Sequence, residues 1–362
     1  MADPSARLIA AVLAVLFVLV AAACGGSDGA DGSGAGVEIT LRARGVAGGQ
    51  VQDSDLDRAV AILEDRLEQA GVAASVALSP DSQRVVVRLD QAGPAAADRV
   101  AELSTRIGLL EFYDLEANLV PPSIDATGLP VATEALYDLL VGRQSPAQED
   151  EVDSWYLFDS ERKLAGGPSP TKRLLLPGGK LLDGWRTLGV PPGTAVLECG
   201  IGEIVCPGVF IESPRRDFYY LVKYDPPRTP ELDGSDLQLD GTRQDFDTTT
   251  GEPIVVMQFT DEGAERFTEI TRREAIRGKL LFNIAGGGGD PHNSFQHFAI
   301  VLDREIKSWP SIDWEQYPIG ISGSNGVQIT GIGDPQDAKD LATVLQTGAL
   351  PVRFEVVAPS GG

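Results

Sequence analysis

The order of elements predicted between residues 37 and 116 constrains the fold more than any other feature of the sequence. From Val37, apolar and polar residues alternate in VEITLRARG, as a half-buried strand requires. DSDLDRAVAILEDRLEQAGV then places apolar residues at helical spacing, with Asp53 or Ser54 as the N-cap and Gly71 as the stop. The apolar face of this predicted helix consists of Leu56, Val60, Leu63, Leu67 and Ala70.

Two further strands, a second helix and a last strand follow in the same stretch. ASVAL and RVVVRLD predict a hairpin around the turn SPDSQ, and Pro94 begins a helix whose apolar face is Val100, Leu103 and Ile107. LLEFYDL predicts a closing strand. The order strand, helix, strand, strand, helix, strand is that of the split βαβ unit, which is typical of a ferredoxin-like α+β sandwich.

The remainder of the chain divides by composition and periodicity. Residues 117–213 are rich in Pro, Gly and acidic residues with weak periodicity, which indicates an irregular insertion with short strands. After it, EPIVVMQF predicts a buried strand and TDEGAERFTEITRR predicts a helix capped by Thr260. HFAIVLDREIKSW predicts two strands around a tight turn at Asp303 and Arg304. This second part is therefore also predicted to be α+β.

The C-terminal segment DPQDAKDLATVLQTGALPVRFEVV predicts a helix that runs directly into a strand. Gly348 ends the helix, and Pro351 fixes the direction in which the chain leaves it. Val352, Phe354 and Val356 alternate with polar residues. We expect this strand to return to the first sheet.

The N-terminal residues resemble a bacterial lipoprotein signal. Arg7 precedes an apolar run over 8–23 that ends at Cys24, and this run is shorter than the roughly 20 residues of a comfortable transmembrane helix. The Gly-rich residues 24–36 cannot build a core and are interpreted as a tether. Cleavage before Cys24 and lipidation of this residue are expected. The alternative is an uncleaved transmembrane anchor, and in both cases the rest of the chain lies outside the cytoplasm.

Cys199 and Cys206 lie close together in LECGIGEIVCPG. In an oxidising compartment a disulfide across this short loop is plausible, and the alternative is two unpaired buried thiols. A metal site would need further ligands nearby, which the sequence does not provide.

Charge and motifs argue against nucleic-acid binding and catalysis. With 53 acidic and 30 basic residues, the net charge of -23 would repel a polyanion. The chain has no Gly-x-Ser-x-Gly elbow, and AGGGGD lacks the Lys-Ser/Thr ending of a phosphate loop. Its two histidines lie in GGGGDPHNSFQH, where a mobile surface loop is a better interpretation than a metal site with Asp290. We therefore expect no enzyme activity, no cofactor and no metal.

Trp309 and Trp314 flank PSID and are candidates for gripping an extended polypeptide. Aromatic side chains near a proline can provide such a contact, although packing in the core or at its rim is their commoner role. Both interpretations stay open from the sequence.

Several segments of the second half, in this order, resemble the large extracytoplasmic domain of SecD, the protein-export subunit. They are EPIVVMQFTDEGAERFTEITRR, the GK after it, FAIVLDREIKSWPSI and GVQITGIGDPQDAKDLATVLQTGALPVRFEVV. The matching positions are Phe267, Thr271, 299–303, 308–310, 328–331 and 348–351. AVAILEDRLEQAGV is similar to the base helix of that family, which extends the resemblance to residues 37–116.

The resemblance implies a ferredoxin-like base domain, an α+β head domain and a role in export. The predicted organisation is a signal or membrane segment 1–23, a tether 24–36, a base 37–116 with 326–358, an insertion 117–213 and a head 214–325. The implied function is that of a SecD-like accessory to Sec-dependent translocation, which binds emerging polypeptide and contacts the translocon. The alternative is an envelope structural or interaction lipoprotein that kept the fold without the export role.

The family also sets an expectation about the membrane-embedded part. In SecD the GALP strand leads into transmembrane helices, whereas this sequence has no second apolar run of membrane length. A proton-driven motor of its own is therefore not expected.

Overall fold

The computed structural model describes residues 37–46, 51–79, 83–90, 93–152, 154–200, 204–209 and 216–357. Cys24, the apolar run before it and the tether after it lie outside these residues. The described helices are α1 Asp53–Gln69, α2 Pro94–Thr105, α3 Leu115–Asn118, α4 Leu136–Val141, α5 Lys172–Leu175, α6 Asp261–Ile284 and α7 Pro335–Thr347.

The strands of the first half are β1 Val37–Gly45, β2 Ala74–Leu78, β3 Arg84–Leu89, β4 Leu110–Asp114, β5 Trp155–Phe158, β6 Leu164–Ser169, β7 Arg186–Gly189 and β8 Thr194–Gly200. Those of the second half are β9 Asp217–Lys223, β10 Leu232–Asp233, β11 Leu237–Phe246, β12 Pro253–Phe259, β13 Gln296–Leu302, β14 Glu305–Ser308, β15 Ser311–Ile312, β16 Val327–Ile329 and β17 Val352–Val356. The described chain is thus an α+β protein, which confirms the predicted fold class.

The base sheet is antiparallel with strand order β17-β1-β3-β2. One face packs on α1 and α2, because the alternating apolar residues of the strands and the helical faces share one core. The C-terminal strand does return to this sheet, with Ala43 opposite Phe354. Val352 and Phe354 are buried as predicted, whereas Val356 is 38% exposed.

The large sheet has seven strands in the order β10-β4-β13-β14-β8-β9, with β15 also paired to β13. α6 packs against it through an aromatic core in which Phe267 contacts Phe259 and Phe298. A three-stranded sheet, β11-β12-β16, and helix α7 contribute to the same core. A second three-stranded sheet, β6-β5-β7, lies within the predicted insertion. The predicted hairpin turn is present, with positive φ at Asp303 and Arg304.

The pairing of three strands differs from the prediction. β4 does not close the base sheet, because it pairs with β10 and β13 of the large sheet and β17 takes the fourth place in the base. β8 lies within the predicted insertion but pairs with β9 and β14 of the large sheet. β16, which was assigned to the base, pairs with β12. In each case at least one partner strand is distant in sequence, and local periodicity does not encode it.

Helix α6 is also longer than predicted. The sequence pattern predicts this helix over TDEGAERFTEITRR, which ends at Arg273, but the helix continues to Ile284. Among the described residues, no helix combines the length and the apolarity needed to cross a membrane.

Candidate functional site

Local chemistry explains why α6 begins where it does. The Thr260 hydroxyl accepts a hydrogen bond from the Gly263 N–H at 3.0 Å, which satisfies a free donor of the first turn. Asp261 and Glu262 follow in that turn, where the helix dipole favours negative charge. The helix is therefore well defined at its start, and its buried residues are Gly263, Phe267, Ile270, Thr271, Glu274, Ala275 and Gly278.

The C-terminal half of α6 exposes three large aliphatic side chains, which we call the apolar ridge. Ile276, Leu280 and Ile284 are 49%, 55% and 73% exposed. Their spacing of four residues puts them on one stripe of the helix, on the side away from its buried face. Leu281 beside them is 37% exposed. An amphipathic surface helix places polar residues at such positions, so this stripe is suited to contact another molecule.

The segment after β15 runs along α6 and is held by close contacts at two glycines. A Cβ at Gly278 would lie 2.9 Å from the Trp314 ring, and a Cβ at Gly320 would lie 2.4 Å from the Thr268 carbonyl oxygen. Between these contacts, Ile319 is 76% exposed. This segment adds exposed apolar area alongside the helix.

Basic side chains flank the apolar ridge. Arg273 and Lys279 are exposed on α6, and neither lies on its buried face. Because the chain as a whole carries a net charge of -23, this local positive charge departs from the average of the molecule. The surface therefore combines aliphatic and basic side chains.

A buried acidic cluster lies beneath the same half of α6. Glu274 is 0% exposed, and neither of its carboxylate oxygens has a hydrogen-bond partner within the described part of the chain. Burial raises the pKa of Glu274 well above its usual value, and the negative charges of Asp114 and Glu116 raise it further. Arg277 opposes this effect and donates to the Asp114 carboxylate at 2.9 Å.

Further polar contacts surround this cluster. Nδ1 of His297 lies 2.6 Å from the Glu116 carboxylate, and Asn118 donates to Glu231 at 2.7 Å. The helix is thus tied to the large sheet through ionic groups. The other histidine, His292, lies 2.6 Å from Asp290, so the two histidines contact different carboxylates.

The two tryptophans belong to different parts of the core. Trp314 is 8% exposed and donates its indole N–H to Ser294 at 3.0 Å. Trp309 is partly buried, packs against a separate core cluster and donates to the Val205 carbonyl at 2.6 Å. Because Trp314 is enclosed and its donor is satisfied, its candidacy for polypeptide contact has no support in this arrangement, and core packing describes it better.

Cys199 and Cys206 are placed next to each other. Their Sγ atoms are 2.07 Å apart, and both residues are buried. The oxidised state of the pair stays a prediction, which titration of free thiols under non-reducing denaturation checks. Lipidation of Cys24 is likewise a prediction, because this residue lies outside the described residues.

A cavity of about 430 Å³ lies where the base sheet, the large sheet and the small sheet of β5–β7 meet. Its lining includes Tyr156, Arg304, Arg353 and several prolines. Burial raises the pKa of Tyr156 to about 12, although the two arginines oppose this. Among the described residues, the predicted site residues Cys199, Cys206, Trp309 and Trp314 do not line this cavity.

The apolar ridge was not predicted from the sequence pattern, because the helix predicted there ends at Arg273. The signal was present, since Ile276, Leu280 and Ile284 follow one another at helical spacing. The Gly-rich stretch after Ile284 is typical of an irregular segment, and its closeness to these residues favoured a helix end before Ile276.

The fold and this surface define an α+β protein with a ferredoxin-like base sheet, a larger mixed sheet and an exposed apolar helix face. Residues 213–352, which include all of α6, match the family model of the SecDF P1 head subdomain. The resemblance to the SecD domain that the ordered sequence motifs indicated is thereby confirmed.

Individual relatives show the same likeness over different lengths. The protein translocase subunit SecD of Rhodothermus marinus is 25% identical over 336 residues, covering 85% of this chain and 46% of that protein. SecD of Acidaminococcus fermentans is 32% identical over 126 residues, covering 35% and 24%. SecDF of Bacillus subtilis is 34% identical over 126 residues, covering 34% and 16%. These matches span less than half the length of each relative.

Solved SecDF structures are also similar to this chain. The super-membrane-facing form of SecDF has 22% identity and a TM-score of 0.47, covering 89% of this chain and 29% of that one. A structure of the membrane component SecDF that enhances protein export has 20% identity and a TM-score of 0.46, covering 90% and 100%.

Proposed function

We propose that this protein assists Sec-dependent protein translocation on the outer face of the cytoplasmic membrane by binding emerging polypeptide. The observation that carries the proposal is the apolar ridge of α6, which lies within the residues that match the SecDF P1 head subdomain. The relatives named above are translocase subunits, and the proposal extends that role to this chain. The protein would act without a proton-driven motor of its own, and a partner in the membrane would supply the motion.

The chemistry of the ridge suits a chain in transit. An unfolded polypeptide exposes apolar side chains, and full burial of an aliphatic side chain contributes about 1.5 to 3 kcal/mol. The three ridge residues are already partly buried, so the remaining gain is a few kcal/mol, which corresponds to weak and reversible binding. Weak contact with many sequences is what an export accessory requires. Arg273 and Lys279 would add attraction for acidic segments.

Site-specific photo-crosslinking in cells tests this proposal. A photoreactive residue replaces Leu280 in the full chain, and a secretory protein is stalled during export. Leu174 on α5 provides the matched control, because it is also a helical leucine and is 60% exposed against 55% for Leu280. We expect adducts with the stalled polypeptide at Leu280 and few at Leu174.

The outcomes separate the proposal from its rival. Equal crosslinking at both positions, or none to the stalled chain, would contradict polypeptide binding by the ridge. Adducts only with other envelope proteins would favour an envelope structural or interaction lipoprotein that kept the fold without the export role. Adducts with Sec translocon components would support the proposed partnership.

The membrane attachment belongs to the same proposal. The apolar run before Cys24 would place the protein at the membrane, with lipid on Cys24 after cleavage or through an uncleaved anchor. Cys24→Ser should leave the protein unprocessed or released. Mass spectrometry that finds Met1 on the mature membrane protein would exclude cleavage and lipidation.

A further inference from the structure

The base sheet presents five arginines on the face turned away from α1 and α2, which we call the arginine face. Side chains alternate along a strand, and Leu41 and Ala43 of β1 lie in the core with the helices. Their neighbours therefore lie on the other face. The arginine face consists of Arg42 and Arg44 on β1, Arg84 and Arg88 on β3, and Arg353 on β17, together with two glutamates, Glu38 and Glu355.

The strand register sets two pairs of like charges opposite one another on this face, beside two pairs of opposite charge. Arg42 lies opposite Arg84 on β3 and opposite Glu355 on β17, and Arg44 lies opposite Arg353. Glu38 lies opposite Arg88. Like charges in directly opposite positions destabilise a sheet. Two pairs of this kind in one four-stranded sheet are unfavourable for folding alone, so they point to an anionic partner that compensates them.

The two glutamates compensate only part of this charge, because each forms an ion pair with one of the five arginines. Arg88 contacts Glu38 at 3.0 Å, and Arg44 contacts Glu355 at 3.2 Å. In the described part of the chain, no carboxylate lies within ion-pair distance of Arg42. Arg44 and Arg88 retain 44% and 56% side-chain exposure, so their guanidinium groups remain accessible.

The density and type of these cations match phosphate groups on a surface. A guanidinium group is planar, always charged and binds phosphate oxygens with two parallel hydrogen bonds. All five basic residues on the face are arginine, and neighbouring strands place Arg42 and Arg84, and likewise Arg44 and Arg353, about 5 Å apart. Arg353, at one edge, also lines the cavity described above. The other four form a layer more than a single pocket. A plane of phosphodiester headgroups has the corresponding geometry.

The position of β1 in the chain brings this face close to a membrane. Only residues 24–36 separate the apolar run from Val37, the first residue of β1. Even a fully extended chain of this length spans no more than about 45 Å. If the N-terminal run is attached to a membrane, the base sheet stays within that distance of the lipid surface.

The net charge of the whole protein does not prevent such contact. Charges separated by more than the Debye length, about 8 Å at physiological ionic strength, are largely screened from one another. The acidic excess of the chain therefore matters less at the lipid surface than the five arginines and two glutamates of the face itself.

We propose that the arginine face of the base sheet docks on an anionic phospholipid surface. Each arginine near such a surface strengthens binding about fivefold, which is about 1 kcal/mol. Docking would orient the large sheet and the apolar ridge relative to the membrane. The inference does not depend on polypeptide binding.

The test uses the full chain on vesicles, with a protease site inserted between Gly32 and Ser33. The chain is bound to vesicles of phosphatidylcholine alone or with added phosphatidylglycerol, the site is cut, and vesicle flotation measures how much of the folded part remains attached. We expect retention on the anionic vesicles, release by high salt, and release from phosphatidylcholine alone. Attachment before the cut reports the N-terminal anchor separately, so a failure of anchoring can be told from a failure of docking.

Matched variants identify the face. Arg42→Gln, Arg84→Gln and Arg88→Gln together should weaken retention on the order of a hundredfold. The same three positions changed to lysine keep the charge and should restore most of it, which excludes misfolding as the cause. Replacing the exposed Arg143, Arg173 and Arg228 by glutamine changes the net charge equally and should leave retention intact. Release of the unmodified protein from both kinds of vesicle would overturn the proposal and favour an acidic protein as the occupant. Equal loss in both glutamine variants would also overturn it, because net charge and not the arginine face would then account for the binding.

Discussion

The base and helix α6 each bury one charged side chain, but only the base provides hydrogen-bond partners for it. Arg66 on α1 and Glu274 on α6 are both 0% exposed. The guanidinium group of Arg66 is surrounded by acceptors, whereas the carboxylate oxygens of Glu274 have no hydrogen-bond partner within the described residues. The buried guanidinium group of Arg66 thus stabilises the fold, whereas the buried carboxylate of Glu274 destabilises it.

Arg66 joins the ends of two helices to a third. It donates to the carbonyl oxygens of Leu103 at 2.9 Å, Arg106 at 2.6 Å and Gly348 at 2.9 Å. These carbonyls lie at the C-terminal ends of α2 and α7, where a helix leaves acceptors free and favours positive charge. Burial lowers the pKa of Arg66 to about 10, so it stays charged at neutral pH.

The comparison teaches where this chain departs from what stability alone would favour. The base satisfies its buried cation completely, while α6 holds an unpartnered carboxyl inside and an aliphatic stripe outside. Residues that break the rules of burial concentrate where function requires them. Both departures on α6 lie within the residues that match the SecDF head subdomain.

The largest expected effect follows from removal of the strand that completes the base. Deleting residues 348–362 removes the buried side chains Leu350, Val352 and Phe354 and the Gly348 acceptor of Arg66. Full burial of each side chain contributes about 1.5 to 3 kcal/mol, and a typical domain has only about 5 to 15 kcal/mol in total. We expect the base to unfold, as measured by circular dichroism and thermal melting. A melting temperature within a few degrees of the full chain would show that β17 is dispensable.

The next effect in size concerns the buried cation itself. Arg66→Ala leaves several buried carbonyls without a donor, and the free energy of unfolding should fall by about 3 to 5 kcal/mol. Urea denaturation followed by fluorescence measures the loss. Arg58→Ala, at an exposed position of the same helix, is the control and should change stability by less than about 0.5 kcal/mol. Similar losses in both variants would show that Arg66 has no special role.

Replacement of Glu274 should raise the stability of the protein, whereas replacement of Arg66 lowers it, and the gain should depend on pH. Its pKa is raised in the folded protein, so the folded state binds the proton more tightly than the unfolded state does. Stability should therefore decrease as the pH rises through the unfolded pKa towards the higher folded value. Glu274→Gln removes this dependence and should stabilise the protein by about 1 to 3 kcal/mol at neutral pH, with little gain in acid.

Urea denaturation across the pH range measures this difference, and a matched variant controls it. Glu265→Gln alters an exposed carboxylate of the same helix and should leave the pH profile unchanged. A constant difference between Glu274→Gln and the unmodified protein at all pH values would rule out a raised pKa at this residue.

The smallest effect on stability is expected at the apolar ridge. Changing Ile276, Leu280 and Ile284 together to serine should alter the free energy of unfolding by no more than about 0.5 kcal/mol per site, because these side chains lie on the exposed face of α6. Thermal melting checks this. Phe267→Ser on the buried face is the contrast and should cost several kcal/mol, about 3 or more. A large loss in the ridge variant would mean that the ridge is packed against the protein itself.

The elements that could be predicted are those whose signal is local. The period of two in VEITLRARG and in PVRFEVV predicted β1 and β17, and the helical spacing from Leu56 to Leu67 predicted α1. The start of α6 followed from Thr260 and the acidic residues after it. The apolar ridge was not predicted, because the glycine run that follows Ile284 indicated that α6 ends before Ile276.

The site depended on burial as well as on spacing, and burial is a property of the folded chain. Trp309 and Trp314 were equivalent candidates in the sequence, yet their surroundings differ. Ile276 and Ile270 are the same residue type on the same helix, but one is 49% exposed and the other 5%. Which of them faces the large sheet depends on how the helix docks.

The sequence by itself determined the local periods, the Thr260 cap of α6 and the glycine stops, because these depend on residues within one or two turns of each other. The predicted N-cap of α1 was wrong, since α1 is capped by Gln52 and not by Asp53 or Ser54. Only the tertiary structure decided which sheet received β4, what surrounded Arg66, and that the arginines of β1 and β3 would face each other. Those outcomes join residues far apart in the chain, and any strand with free backbone donors and acceptors can pair with many others. The choice among them is made by the core that all the elements bury together, which no local pattern contains.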